Sequence, residues 1–274
     1  MNTYMYPLVY QDTNLQDVFT YLTVSCEVLF VLEGIKPGAR ISVPEHRRYD
    51  VTAFCQTHGL VMDVSEFKVV NSITRDKQFA NIGYRIRADS SIKGDLFAYL
   101  SLHADWVRAA KEADAGNDHR MFGIELGYPS CCVSFYESNT REEMKKENDY
   151  ILPLLRNSTS FFFENNIIPR YFDIGVLSHF PCSFGCKESR DMARQLLAIV
   201  ARYSEGLASY VAGILRIPVV MTEHDGAHLL HHPQEDGYAM IYDGVQSTVA
   251  NHLHYDLERQ KSIPLNNPNL ILFS

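Results

Sequence analysis

His179-Phe180-Pro181-Cys182-Ser183-Phe184-Gly185-Cys186 runs without a break into Lys187-Glu188-Ser189-Arg190-Asp191-Met192. From there Met192, Leu196, Ile199, Val200, Tyr203 and Leu207 recur three and four positions apart, the spacing of one helical face. This predicts a long amphipathic helix from about Lys187 to Gly213 with two cysteines at its start. Ser183 has the chemistry of an N-cap, and Gly185 lets backbone approach a ligand closely.

Upstream, Gly127-Tyr128-Pro129-Ser130-Cys131-Cys132-Val133-Ser134-Phe135-Tyr136 has the same construction. Proline is favoured at the first helical position because its missing N–H would be unpaired there anyway, so Cys131 and Cys132 should fall in the first turn. Free backbone N–H groups at that end favour thiolate over thiol and predict two acidic, reactive cysteines. Bringing the two helix starts together gathers Cys131, Cys132, Cys182 and Cys186 around one point with the His179 imidazole nearby. That donor set suits a soft metal centre, an iron-sulfur cluster or tetrahedral zinc. Adjacent residues of a helix point about 100° apart, so three of the four are expected to hold the metal and one to remain free. The spacing is not one of the stock zinc patterns with two CxxC-like pairs, so zinc is not singled out. Cys26 and Cys55 stand alone in apolar stretches and read as small core residues.

At these motifs the chain resembles a mostly archaeal family with scattered bacterial members, catalogued as domain of unknown function 483. The likeness covers about residues 123–193 and is carried by Pro129, Cys131, Cys132, His179, Pro181, Cys182, Ser183, Cys186 and Ser189. It implies that the motif pair is a site, without implying an activity. In site chemistry, though not in fold, the vicinal cysteines followed by a later pair are also similar to the iron-sulfur epoxyqueuosine reductases.

Outward from the centre, the N-terminal part reads as a small α/β portion. Tyr6 to Tyr10 is a strand, Asn14 caps a helix from Leu15 to Leu32, and Arg40 to Val43 is a strand. Arg48 to His58 is a short helix closed by Gly59, and Leu60 to Ile73 and Asn81 to Ala88 are strands. Leu96, Leu100, His103, Val107 and Ala110 give a helical period from Asp95 to Arg120, and the polar stretch Ala113 to Asp118 is expected to break this helix before Met121. Thr140 to Glu143 fits a capping box, with Glu142 and Lys146 paired on a solvated face. Past Pro218, Val219 to His224 and Ala227 to His232 flank Asp225-Gly226 as a two-residue hairpin, and Tyr238 to Tyr242 and Leu270 to Phe273 are further strands. The expected fold is α+β: a helical centre with two cysteine-bearing helix starts, a small N-terminal α/β module over 1–92, and a short C-terminal antiparallel sheet within 93–274.

Six of the eleven histidines crowd into the last third: His224, His228, His231, His232, His252 and His254. Glu223 and His228 would be cross-strand neighbours, and His252 and His254 in an extended segment would share a face. His224 or His228, Glu223, and His252 or His254 offer a two-histidine, one-carboxylate iron site; alternatively Glu223, Asp225 and His228 line the cysteine pocket.

The 274 residues are 46% hydrophobic and 21% charged, with 25 basic against 33 acidic side chains and a net charge of -8. That is globular composition, and its negative sign argues against general nucleic-acid or anionic-membrane binding. No apolar run such as Val28 to Leu32 approaches the roughly 20 residues of a bilayer span, and Met1-Asn2-Thr3-Tyr4 lacks a signal-peptide pattern, so a cytoplasmic location is expected. Dinucleotide, NTP-loop, kinase and serine-hydrolase motifs are missing.

The first-ranked reading is an enzyme with an iron-sulfur centre, a four-iron cluster by preference, acting on a small molecule by redox or lyase chemistry, with an electron donor if redox. His179, Cys132, Glu223 and His228 are its candidate catalytic residues. A metal-free enzyme with Cys131 or Cys132 as nucleophile and Cys182/Cys186 as a resolving pair is the second, and a zinc-stapled binding module the third.

Overall fold

The computed structural model describes residues 6–71, 83–146 and 149–274. The expected ends of two strands, at 72–73 and 81–82, and the side chain of Lys146 lie outside the described residues.

β1 (Val9–Tyr10) and β2 (Thr13–Asn14) form a tight hairpin, after which the Asn14 side chain accepts from the Gln16 N–H and starts α1 (Leu15–Phe19). Thr20, at φ 68°, interrupts the helix, and α2 (Leu22–Leu32) begins anew. The single helix expected over 15–32 is thus two. The break is stabilised from far along the chain, because the Asp173 carboxylate accepts from the Leu22 and Thr23 N–H groups at 2.6 and 3.0 Å. α2 is apolar on nearly every side and buried accordingly.

β3 (Ala39–Pro44), α3 (Arg48–Thr57), β4 (Val61–Asn71), β5 (Gly83–Arg87) and β6 (Asp95–Ser101) follow. The strands make one antiparallel sheet in the order β3-β6-β4-β5, with Ala39 opposite Leu100 and Val61 opposite Ser101. β6 corrects the helix expected from residue 95. Leu96 and Leu100 fit a period of two as well as one of 3.6, and both faces of the strand are covered. Ala98 and Leu100 join the core around α2, while Tyr99 packs with Trp106, Val107, Ala110, Phe122 and Leu126. A strand buried on both sides has no polar face to reveal its period. The boundary expected at residue 92 falls between two strands of this sheet.

The helical centre comprises α4 (Ala104–Ala115), α5 (His119–Glu125), α6 (Ser130–Glu143), α7 (Ile151–Arg156), α8 (Lys187–Tyr203) and α9 (Glu205–Leu215). Thr140 to Glu143 close α6 instead of opening a helix, with Thr140 Oγ1 donating back to the Tyr136 carbonyl. The helix expected from Lys187 to Gly213 is interrupted at Ser204, whose φ of -158° and ψ of 93° are extended.

The C-terminal part contains β7 (Val219–Thr222), β8 (Gly226–His231), β9 (Gln234–Asp236), β10 (Ala239–Ile241), β11 (Gly244–Ser247), α10 (His252–Gln260), β12 (Ser262–Pro264) and β13 (Leu270–Ile271). Two small antiparallel sheets result, β11-β8-β7-β13 and β12-β10-β9. The predicted hairpin is present, but Thr222 faces Gly226 across three turn residues, 223–225, where two were expected. One core cluster joins α2, α7, α8, α9, β7 and β8 through residues such as Phe30, Leu154, Leu196, Val211, Val219 and Leu229. The fold is α+β, and among the described residues no helix is long and apolar enough to cross a membrane.

Candidate metal centre and adjoining cavity

Gly127, at φ 73°, turns the chain out of α5, and Pro129 then stands at the N-cap of α6, one position earlier than expected. Cys131 and Cys132 lie in the first turn as predicted. The second pair comes from an irregular segment whose carbonyls are held by side chains. The buried Asn165 amide donates to the Phe184 and Cys186 carbonyls at 2.9 and 2.8 Å, and Asn157 donates to the Cys182 carbonyl at 2.6 Å. Cys186, and not Ser183, is the N-cap residue of α8. Gly185 is needed for a close approach, but to Ser160: a Cβ there would stand 2.1 Å from the Ser160 hydroxyl oxygen.

These two helix starts meet. The sulfur of Cys131 lies 3.8 Å from that of Cys132 and 3.7 Å from that of Cys186, and Cys132 and Cys186 are 3.7 Å apart. With Cys182 included, all four sulfurs fall within 4.8 Å of one another. The vicinal pair therefore converges on one point, and four sulfurs, where three were expected, are within ligating reach. Cys132 and Cys186 are buried; Cys131 and Cys182 are half-buried at the rim. None of the four is in a disulfide.

The electrostatics correct a second expectation. Burial and the neighbouring Cys186 charge push Cys131 up and hold Cys182 at about 12. Cys132, whose thiol donates to Cys186, is also raised. The depressed group is Cys186, pulled down to about 6, first by the Cys132 hydrogen bond and further by the Ser189 backbone N–H. Protons alone thus leave one thiolate ringed by three thiols, with the Glu188 carboxylate 3.6 Å from Cys186 and adding negative charge. Ionising all four needs a cation at their centre.

No protein-family model, curated protein or solved structure matches the chain.

His179 is buried beside this centre, its ring 4.9 Å from that of Tyr128 and its Nε2 2.8 Å from the Ser189 hydroxyl. Burial, reinforced by Lys36 and Arg170, lowers it to about 3, so the imidazole is neutral at ordinary pH. Its Nδ1 is buried without a protein partner.

The C-terminal candidates are not gathered with the cysteines. Glu223 is exposed at the hairpin turn, 3.7 Å from Arg156, and His228 faces Val220 and Ser247 in the sheet, so the two are not cross-strand neighbours. His228 is buried and satisfied by the Ser247 hydroxyl at 2.6 Å and the Asp225 carbonyl at 3.0 Å. His252 and His254 are helical, in α10, because Asn251 caps that segment by accepting from the His254 N–H. Among the described residues, the four cysteines are the only group of three or more His, Cys, Asp and Glu side chains close enough to share an ion.

Sequence reasoning missed a cavity of about 460 Å³ walled partly by the chain leading into each cysteine pair. Leu126 and Tyr128 precede α6, and Arg170 to Phe180 precede Cys182; α2 and β3 supply Thr23, Glu27, Arg40 and Ser42. Beneath it Lys36 is buried in an ion pair with Glu27 and donates to Ser178 at 3.0 Å. Ser178 in turn bonds the Tyr128 hydroxyl at 2.9 Å. These partners stand up to 142 positions apart, and no local pattern announces them.

Proposed function

We propose that Cys131, Cys132, Cys182 and Cys186 hold a single tetrahedral metal ion, zinc, which clips the start of α6 to the segment entering α8 and thereby fixes one wall of a small-molecule-binding cavity. The sulfur spacing carries this reading. Bonds of about 2.3 Å from a central zinc to four thiolates put neighbouring sulfurs about 3.8 Å apart. The triangle of Cys131, Cys132 and Cys186 has edges of 3.7 to 3.8 Å. A four-iron cluster places each thiolate on a different iron, with sulfurs about 6 Å apart, wider than this site. The looser fourth sulfur also suits zinc, whose filled d shell imposes no direction of its own.

The site favours holding over reacting. A closed four-thiolate shell leaves no open position for a substrate, and tetrahedral sites with four cysteines serve structure elsewhere. When bound, the ion would supply the positive charge that lets all four thiols ionise. This chain's residues do the rest: Asn165 and Asn157 fix the carbonyls around Cys182 and Cys186, and the Cys182 N–H donates to the Cys132 sulfur at 3.3 Å. Such donors to ligand sulfurs stabilise thiolate and hold ligand orientation.

Anaerobic purification with metal and sulfide analysis tests the proposal. The expected result is one zinc per chain, no sulfide and no visible colour, with zinc lost in Cys182→Ser. Iron with stoichiometric sulfide and absorbance near ~400 nm would overturn it in favour of a cluster enzyme. No metal at all would leave the thiol-enzyme reading, to be pursued by alkylation.

A further inference from the structure

The geometry points to the cavity beside the cysteine centre as a binding site for a small organic carboxylate with an apolar body, received by Arg170. This goes beyond the metal reading and does not depend on it.

Arg170 lines the cavity, and among the described residues no carboxylate pairs with it. Among the described residues its guanidinium makes one hydrogen bond, a long one of 3.3 Å to the His179 carbonyl, and it lies over the Phe180 ring at 5.4 Å. The other charges there are committed. Glu27 is bound by Lys36, and Arg40 by Asp114 at 3.0 Å. Asp173, near in sequence, spends its carboxylate on the start of α2. A half-buried guanidinium with no carboxylate bonded to it is incompletely compensated, and one anion from outside resolves it.

The chemistry of that anion follows from what surrounds it. One unmatched positive charge calls for a monoanion, and the planar fork of arginine matches a carboxylate through two parallel bonds. The Tyr128 and Ser178 hydroxyls are bonded to each other, Ser178 also accepts from Lys36, and the pair can turn a lone pair or proton toward a second oxygen. The remaining wall includes Val24, Ile41, Leu126, Val176 and Leu177, which would bury a hydrocarbon or aromatic body. A phosphate dianion would want a second free cation, and the other guanidinium on this wall, Arg40, is held in an ion pair by Asp114, which Arg85 shares. The volume, about 460 Å³, fits a ligand of modest size.

Calorimetric titration of the full, metal-loaded chain with phenylacetate, isovalerate and octanoate, each beside its neutral amide, tests the assignment. We expect at least one acid to bind, with its amide weaker by about tenfold or more, the value of a charge-assisted bond. Arg170→Gln should abolish that preference while metal content and melting temperature are kept. Should that variant fail to fold, the acid-amide comparison on the natural chain decides alone. No acid binding at millimolar concentration, or equal binding of acid and amide, would overturn the assignment. Tighter binding of phenyl phosphate than of every acid would overturn the carboxylate class. Failure of the metal reading shows separately, in the metal analysis, and leaves these isotherms untouched.

Discussion

If zinc fills the four-cysteine site as proposed, stripping the ion, or replacing Cys182 by serine, should lower the melting temperature by about 7 °C. The size comes from the loop that the centre closes. Cys132 and Cys182 are 50 positions apart and belong to different elements, so an ion holding both acts on the unfolded chain as a cross-link. Restricting a loop of that length removes chain entropy equivalent to about 4 kcal/mol at 25 °C. Unfolding entropy of about 2.1 cal/mol/K per residue over the 274 residues converts this to the stated shift. Differential scanning calorimetry with and without a thiol-competitive chelator, with metal quantified in the same samples, reads it directly. Restoring zinc should restore the natural chain and leave Cys182→Ser where it is. A chelated protein that has lost its ion yet melts within about 1 °C of the loaded one would refute the cross-link reasoning.

Three further perturbations follow from particular contacts. Asn165→Ala removes two buried hydrogen bonds, one to each of the Phe184 and Cys186 carbonyls, which keep only the Phe162 and Arg190 N–H groups; we expect a loss of about 2 kcal/mol in denaturant titration and zinc affinity reduced by about tenfold, read by competition with a chromogenic chelator. Asp173→Ala removes the acceptor for two N–H groups at the start of α2 and puts alanine at φ 58°; it should cost about 2 kcal/mol, whereas Asp173→Asn should recover much of that. Asp114→Asn should destabilise by about 2 kcal/mol at neutral pH, because burial alone would raise this carboxyl but Arg40, Tyr99 and Arg85 together hold it below its ordinary value. A depressed folded pKa gives stability that is present above the unfolded value of about 3.9 and lost as pH falls beneath it, so urea midpoints of variant and natural chain should converge in that acid range. A gap that stays constant down to pH values well under 3.9 would contradict this.

Much of the centre was legible because its signal is local. Proline before cysteine at a helix start places thiols by backbone rules alone, and the Asp225-Gly226 turn announced its hairpin. What escaped lay in contacts between distant segments. Period alone could not separate helix from strand in Leu96 to Leu100, since the sheet is covered on both sides there. α10 escaped because His252 and His254, two apart, were read as one face of a strand; the Asn251 cap beside them was the overlooked signal. The acidity assigned to Cys131 and Cys132 from helix-end N–H groups ignored burial and the crowding of four sulfurs, which concentrate the charge on Cys186 instead. Arg170 gave no sequence signal because its lack of a bonded carboxylate among the described residues is a property of the assembled cavity.

X-ray absorption at the metal edge of the protein as purified under anaerobic conditions reaches the centre most directly. A single ion on these four sulfurs gives one shell of four sulfur neighbours at about 2.3 Å and no metal neighbour beyond it. An iron neighbour at roughly 2.7 Å, or a shell in which nitrogen or oxygen replaces sulfur, would contradict the four-thiolate zinc site.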